Sequence, residues 1–335
     1  MSAPLRVPPV VPGARILGVG AYRPTRIVAN AEIAERIDSS DEWIRRRSGI
    51  RARRYAGPDE TIVSMAGEAS LKALARSGIT PAEVDLVLLA SMSNLEQSPA
   101  LAPRVAHLIG AAAPGALDMS AGCAGFSYTL GVADALVRSG AARHVLVVGS
   151  ERMSDIVDPS DRGTSFLFGD GAGAVVVGPS GRPGMGPVVW ESEGGEAGVL
   201  GHDRPWPGVL EAAYSAPPPA LRMAGPEVFR WAVARVPGVA RRALEAAGVA
   251  AADLDAFIPH QANVRIIDSL VKDLRLPGDV LVAREVAEAG NTSAASIPLA
   301  MESLIARNSL PSGALALLVG FGAGLLIAAQ VVELP

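Results

Sequence analysis

The segment Ala73-Leu-Ala-Arg-Ser-Gly-Ile-Thr-Pro-Ala-Glu-Val-Asp85 returns about 170 residues later as Ala243-Leu-Glu-Ala-Ala-Gly-Val-Ala-Ala-Ala-Asp-Leu-Asp255. Each copy has the pattern of a helix end, a glycine cap and a short loop. Each then runs into an apolar stretch that predicts a strand, Leu86–Ala90 in the first copy and Ala256–Pro259 in the second. The chain is therefore predicted to contain one structural unit twice.

Further matches support the duplication and indicate the fold. The apolar stretch His144–Gly149 matches Leu315–Gly320, and Gly171-Ala-Gly173 with its following strand matches Gly322-Ala-Gly324 with its own. A repeat this long excludes a solenoid. Strands that are apolar throughout, such as Val145–Val148, are buried on both faces and need helices on both sides of the sheet. We therefore expect an α/β fold in which two stacked sheets share helices.

The domain division follows from the repeat. We place the first half at residues 1–180, with the cysteine, and the second at residues 181–335, with a histidine and an asparagine of interest. The halves meet in the Gly/Pro-rich tract Pro179–Pro219, predicted to be loop with one strand near Val188–Trp190. The uncharged stretch Ala314–Val332 approaches the length of a membrane span. Glycines interrupt it, so we interpret it as two buried strands.

Composition excludes several classes of function. The 335-residue chain has a net charge of only −4, so no global field draws it to nucleic acid or membrane. A single cysteine excludes an intrachain disulfide and a thiolate metal cluster, and no metal-ligand spacing is present. The N-terminal stretch Met1–Gly13 lacks the apolar region of a signal peptide. We expect a cytoplasmic protein without a bound metal.

The single cysteine, Cys123, lies in the turn Asp118-Met-Ser-Ala-Gly-Cys-Ala-Gly-Phe126. A short strand before it and helical spacing after it predict a strand-to-helix junction. Free backbone N–H groups and the helix dipole favour a thiolate there, which predicts a lowered pKa. The alternative is a buried structural cysteine, since free cysteines are often part of a core.

Two polar groups in the second half are candidates to join Cys123. His260 follows a buried strand in Phe257-Ile-Pro-His-Gln-Ala-Asn263, at the strand end where open α/β sheets bind ligands. Asn291 lies in Gly290-Asn-Thr-Ser-Ala-Ala-Ser296, which the repeat makes the counterpart of the Cys123 turn. A core histidine and a helix-capping loop are the plain alternatives. Halves related by a pseudo-twofold axis would bring the two turns together.

The chemistry of these groups would be specific. A thiolate can take an acyl group from a thioester. The backbone N–H groups of Cys123 and of the turn at Ala323 could hold the oxyanion that forms. A neutral imidazole at His260 and the amide of Asn291 can both donate hydrogen bonds to a second carbonyl without repelling an anion. The set suits decarboxylation of a malonyl thioester.

Taken together, the motifs resemble those of β-ketoacyl-acyl-carrier-protein synthase III, the initiating condensing enzyme of the thiolase superfamily. The resemblance runs from about residue 14 to the C-terminus and rests on Gly18–Pro24, Ser40–Ile44, Gly49–Arg51, the Cys123 turn, Asp161–Thr164, Phe168–Gly173, His260–Asn263 and Gly290–Ser296. It implies a five-layered αβαβα thiolase fold, usually homodimeric. It also implies a Claisen condensation of an acyl-CoA starter with malonyl-acyl carrier protein through an acyl-Cys123 intermediate, with no cofactor besides the coenzyme A thioester substrate.

The resemblance also implies binding residues. Those expected to contact coenzyme A and its pantetheine arm are Ser39, Trp43, Arg47, Arg162, Gly225, Phe229 and Asn263. Those expected to meet the acidic carrier protein are Arg265, Arg230 and Lys272. For each of these cations, a solvated helix face is the alternative.

The chain departs from the family pattern at three places. The oxyanion turn has Ala323 where many members have glycine, and Pro226 replaces a donor residue. The stretch Ser91–Pro99, expected to contribute to the acyl pocket, is unlike common acetyl-selective versions, so the starter stays open. An acyltransferase that moves the acyl group to a hydroxyl or amine without condensation is the alternative function. The retained His260 and Asn291 argue against it, and the presence of Cys123 argues against a catalytically silent subunit.

Overall fold

The computed structural model describes residues 8–205, 217–308 and 310–335. Residues 1–7, part of the stretch tested for a signal peptide, and residues 206–216 of the predicted loop tract lie outside the described residues. The strands are β1 (Gly13–Tyr22), β2 (Arg26–Ala29), β3 (Ala52–Tyr55), β4 (Leu86–Ala90), β5 (Gly115–Met119), β6 (Val145–Glu151), β7 (Gly171–Ser180), β8 (Val189–Ser192), β9 (Leu200–His202), β10 (Leu221–Met223), β11 (Ala256–Pro259), β12 (Leu281–Val282), β13 (Leu315–Gly322) and β14 (Leu326–Glu333). The helices are α1 (Asn30–Ala34), α2 (Asp41–Ser48), α3 (Ile62–Ser77), α4 (Leu101–Leu108), α5 (Gly125–Arg138), α6 (Gly225–Ala247), α7 (Val264–Leu274), α8 (Val286–Ala289) and α9 (Ser296–Asn308).

The two main sheets have the same topology. The first is ordered β1-β7-β6-β4-β5 and the second β8-β14-β13-β11-β12, each with five strands. In both, the middle strand is parallel to one neighbour and antiparallel to the other: β6 to β4 and β7, and β13 to β11 and β14. Strand for strand, the second sheet repeats the first, which confirms the predicted duplication.

Helices and sheets alternate in five layers. Helices α3 and α4 cover the outer face of the first sheet, α5 and α9 lie between the sheets, and α6 and α7 cover the second sheet. The middle layer is the main core, where Phe126 and Leu130 of α5 and Met301 of α9 pack with strand residues such as Leu88 and Leu318. This burial explains why the strands are apolar along their whole length.

The two ambiguous segments of the sequence form strands as predicted. The stretch 314–332 is the antiparallel pair β13 and β14, and the strand expected near residues 188–190 is β8. Within the described ranges, no helix has the length and apolarity needed to cross a membrane. The first sheet ends at residue 180 and the second begins at residue 189. The division into residues 1–180 and 181–335 stays a prediction, because the two sheets share the middle helices.

The layered packing can be tested at Leu130, which is fully buried between the two sheets. Leu130→Ala is expected to lower the free energy of unfolding by about 2–5 kcal/mol, because the cavity left cannot close between two rigid sheets. The same change at Leu71, which is 42% exposed on α3, should cost less than about 0.5 kcal/mol. Urea denaturation of both variants measures the difference, and equal losses would contradict the assignment of the middle layer.

Candidate active site

Cys123 lies in the 3-10 turn Gly122–Ala124 between β5 and α5, which confirms the predicted strand-to-helix junction. Gly122 has a φ of 49°, and a Cβ there would meet the carbonyl oxygen of Ala323 at 3.0 Å. A Cβ at Gly322 would lie 2.6 Å from the Cβ of Cys123. The two glycines therefore allow the Cys123 turn of the first half to pack directly against the turn after β13 in the second half.

The thiol of Cys123 is buried, with 5% of the residue exposed. Burial raises its pKa to about 11, and the nearby charge of Glu151 acts in the same direction. The Ser293 hydroxyl and the backbone N–H groups of Ala323 and Cys123 interact with the sulfur and lower the pKa by less. The prediction of a lowered pKa is therefore wrong, because desolvation of the thiolate outweighs the donors at the helix start.

The two backbone N–H groups that approach the sulfur are the predicted oxyanion donors, those of Cys123 and Ala323. Ala323 is not among the described residues with positive φ, so an alanine fits the turn without strain. An acyl group on the sulfur would carry its carbonyl oxygen near these donors. The arrangement can stabilise a tetrahedral oxyanion.

His260 directly follows β11 and is 2% exposed. Its backbone N–H donates to the carbonyl of Val319 at 2.7 Å, which continues the parallel ladder with β13 past the strand end. Its Nδ1 lies 2.7 Å from Oγ of Ser296, and its ring meets the ring of Phe321 edge-on at 5.1 Å. Burial lowers the pKa of His260 to about 3. The imidazole is therefore neutral at physiological pH, as the sequence predicted.

Both backbone polar groups of Asn291, its N–H and its carbonyl, make hydrogen bonds to the segment around Phe168. Its N–H donates to the carbonyl of Leu167, and its carbonyl accepts from the N–H of Gly169 at 3.0 Å. The side-chain oxygen accepts the N–H of Ser293 at 2.9 Å. Because the oxygen is engaged, the amide nitrogen is the end of this side chain that remains to donate to a ligand.

The structure brings Cys123, His260 and Asn291 together, since all three line one narrow cavity of about 50 Å³. None of the described residues that line the cavity is acidic. The cavity shares Phe229 and Asn263 with an open cleft of about 520 Å³ that leads to the surface. A long thin ligand in the cleft can thus reach the thiol.

Most of the predicted binding residues line this outer cleft. Its walls include Trp43, Arg47, Arg162, Gly225, Pro226, Phe229, Arg230, Asn263 and Arg265. The guanidinium of Arg162 lies over the Trp43 ring at 5.1 Å, and that of Arg265 lies over the Phe229 ring at 5.0 Å. A planar ring bound between Trp43 and Arg162 would have to enter where these two side chains now contact each other.

Two predicted residues are not part of the cleft. Ser39 lies outside its lining, and its buried hydroxyl has no hydrogen-bond partner in the described part of the chain. Lys272 lines a separate surface groove with Arg241 and Arg275. It lies two turns beyond Arg265 on α7, so the two cations share a helix face.

The sequence reasoning did not single out Glu151, a fully buried carboxylate at the end of β6. It accepts hydrogen bonds from the hydroxyls of Ser91 and Ser93 and from the N–H groups of Met92, Ser93 and Ala294. Burial raises its pKa and these donors oppose the rise. A charged residue that ends an otherwise apolar strand was the signal that could have revealed it. Glu151 joins the start of the 91–99 stretch to the turn that follows Asn291.

No group of three or more His, Cys, Asp or Glu side chains in the described part of the chain is arranged to hold a metal ion.

Comparisons with known proteins show which family the sequence resembles. Residues 117–194 match the family model described as 3-oxoacyl-[acyl-carrier-protein (ACP)] synthase III, and residues 244–334 match the model of its C-terminal part. The chain is 56% identical over 324 residues to a beta-ketoacyl-[acyl-carrier-protein] synthase III of Streptomyces glaucescens, with 97% of each chain covered. It is 54% identical to a synthase III of Streptomyces coelicolor, again with 97% of each chain covered.

Among solved structures, the chain is similar to the priming beta-ketosynthase from the R1128 polyketide biosynthetic pathway. The two are 51% identical, the match covers 99% of this chain and 98% of the other, and the TM-score is 0.96. The likeness over the whole chain confirms the expected five-layered fold built from two duplicated halves.

The raised thiol pKa predicts how the free protein reacts. Alkylation of Cys123 by iodoacetamide should accelerate about tenfold per pH unit from pH 7 to pH 10, because the thiolate fraction rises in this way below the pKa. A short peptide with one cysteine and blocked ends, whose thiol pKa is about 8.5, should level off within the same range. Mass spectrometry of the peptide that contains Cys123, the one cysteine of the chain, follows the reaction. A rate that levels off near neutral pH would contradict the raised pKa.

Proposed function

The chain belongs to the 3-oxoacyl-acyl-carrier-protein synthase III family, and from that premise we propose that it joins an acyl-CoA starter to malonyl-acyl carrier protein by decarboxylative Claisen condensation. The observation that carries the proposal is the cavity in which a buried thiol, a neutral imidazole and a primary amide meet. The close relatives named synthase III, and the priming ketosynthase of a polyketide pathway, support a role at the start of a fatty acid or polyketide chain.

In the first half-reaction, the cleft would hold the nucleotide and pantetheine of acyl-CoA, with Trp43 and Arg162 near the adenine. The Cys123 sulfur attacks the thioester carbonyl, while the N–H groups of Cys123 and Ala323 stabilise the oxyanion. The carbon–sulfur bond to coenzyme A breaks, and the thiol proton of Cys123 leaves with coenzyme A. The product is an acyl thioester on Cys123, so the protein acts as an acyltransferase at this stage.

In the second half-reaction, the thioester carbonyl of malonyl-acyl carrier protein would accept hydrogen bonds from His260 and Asn291. The bond to the carboxylate breaks, CO2 leaves, and the electron pair forms an enolate held by these two neutral donors. The enolate carbon attacks the acyl carbonyl on Cys123, and the carbon–sulfur bond breaks. Cys123 takes up a proton, and 3-oxoacyl-acyl carrier protein is released.

Neutral donors suit this step because the malonyl carboxylate is anionic until it departs. Because no acidic residue is among the described residues that line the cavity, the lining does not repel that carboxylate. At the mouth, Arg230 and Arg265 supply local positive charge on a chain whose net charge is negative. We propose that these two arginines, with Lys272 further along α7, meet the acidic carrier protein.

We also propose that the protein works as a homodimer. Strand β5 is an edge strand, with β4 as its one neighbour in the described part of the chain, and its Leu117 is 45% exposed. An exposed edge with an apolar side chain is a surface for pairing with a second copy. The Cys123 turn directly follows this strand, so pairing there would support the site.

The two half-reactions can be separated by mutation. Cys123→Ala should abolish the acyl adduct that a panel of acyl-CoAs leaves on the Cys123 peptide, as measured by mass. Asn291→Ala should keep the adduct and slow condensation with malonyl-acyl carrier protein by roughly 10²–10³-fold, the usual cost of losing one oxyanion donor. An adduct that survives Cys123→Ala would end the nucleophile assignment. Full condensation by Asn291→Ala would contradict the role given to its amide, whereas transfer of the acyl group to a hydroxyl or amine without any condensation by the unmodified protein would favour the acyltransferase alternative.

The dimer proposal predicts the effect of a charge at the edge strand. Leu117→Lys should convert the dimer to a monomer, because a buried lysine at a strand pair is costly. Ile27→Lys, at a 60% exposed position of the separate two-stranded sheet β2–β3, should leave the mass in solution unchanged. Light scattering coupled to size-exclusion chromatography measures both, and a monomeric unmodified protein would refute the proposal.

A further inference from the structure

Ser296, the first residue of α9, contacts His260 and is not itself one of the residues that line the cavity. The residue is buried, and its Oγ lies 2.7 Å from Nδ1 of the imidazole. The same oxygen accepts a hydrogen bond from the backbone N–H of Gln261, with a distance of 3.4 Å between nitrogen and oxygen. Nothing in the half-reactions above uses this hydroxyl, yet it is the hydrogen-bond partner of the imidazole.

The hydrogen-bond inventory decides the direction of the contact. If Nδ1 carried the imidazole proton, Ser296 Oγ would accept from both Nδ1 and the N–H of Gln261. The hydroxyl proton would then be buried without an acceptor in the described part of the chain. Burying an unpaired donor is costly. If Ser296 instead donates to Nδ1, every group in this contact is paired, and the imidazole proton lies on Nε2.

We propose that Ser296 is a positioning residue that holds His260 in the Nε2–H tautomer. Because the imidazole is neutral, it has one N–H, and the tautomer decides whether its free edge donates or accepts. His260 lines the cavity, and Nε2 has no hydrogen-bond partner among the described residues. The Nε2–H group is thus available to donate beside the amide of Asn291. In the other tautomer, a lone pair would face the enolate oxygen and repel it.

This inference deepens the proposed function and rests on it, since the tautomer matters only if His260 must donate to a thioester oxygen. Acylation uses the Cys123 thiol, whereas decarboxylation of the malonyl group uses the donors of His260 and Asn291. Loss of Ser296 should therefore slow condensation and leave acylation of Cys123 nearly unchanged.

The direct test measures the tautomer in the unmodified protein. Protein labelled with ¹⁵N-histidine is studied by solid-state NMR, and the His260 signals among the four histidines are assigned by their loss in His260→Gln. The inference expects a protonated Nε2 and an unprotonated Nδ1 that accepts a hydrogen bond. A protonated Nδ1 would overturn it, whatever the activity of the protein.

Variants connect the tautomer to the reaction. Ser296→Ala should mix the tautomers and slow condensation roughly tenfold, in line with the net contribution of one hydrogen bond. Acylation of Cys123 should change less than about threefold. Ser296→Thr, which keeps the hydroxyl, should restore the tautomer and most of the rate.

The matched control is Ser303→Ala, two turns further along α9 and also buried. It should retain the unmodified tautomer and rate. Equal losses in Ser303→Ala and Ser296→Ala, or an unchanged tautomer in Ser296→Ala, would overturn the inference. If the unmodified protein acylates Cys123 but does not condense, the proposed function fails, while the NMR result still decides the role of Ser296.

Discussion

The site depends on direct backbone contact between the two halves of the chain, which is possible only where side chains are missing. The Cys123 turn rests on the turn at Ala323 because Gly122 and Gly322 leave no Cβ between them. On the other side, a Cβ at Gly149 would lie 2.4 Å from the carbonyl oxygen of Ala294. These contacts bring a thiol from the first half within reach of an imidazole and an amide from the second. Two copies of a unit that each lack a complete site thereby make one.

Desolvation then sets the character of the three groups. The same burial that keeps His260 neutral also keeps Cys123 protonated. The cavity therefore contains polar donors and no formal charge, while the buried carboxylate of Glu151 lies outside its lining. For chemistry in which negative charge appears on a thioester oxygen, such a neutral, preorganised environment is more useful than a fixed cation, which would also bind the malonyl carboxylate before it leaves.

Much of this could be predicted from the sequence. The repeat was enough to derive the two sheets, because strands at equal spacing in a duplicated chain must occupy equal places. The turns around Cys123 and His260 were identified by their position at strand ends, and the turn around Asn291 by its place in the repeat. The family models confirm the resemblance that those motifs carry. What failed was the pKa of Cys123, since the depth at which a turn is buried depends on both halves and is not visible in either. Glu151 and Ser296 were missed for the same reason: each acts on residues more than 30 positions away.

The cleft has a consequence for the order of events. Both the coenzyme A arm and the carrier protein's pantetheine must reach the sulfur by the same route. This route is the outer cleft of about 520 Å³, which continues into the inner cavity of about 50 Å³. Two such arms do not fit side by side, so the donor has to depart before the extender arrives. Turnover should thus follow ping-pong kinetics, in which each substrate at high concentration inhibits binding of the other. The acyl-enzyme must also persist during the interval between departure of coenzyme A and arrival of the malonyl group. The depth of the sulfur beneath the surface is what shields that thioester from water in the meantime.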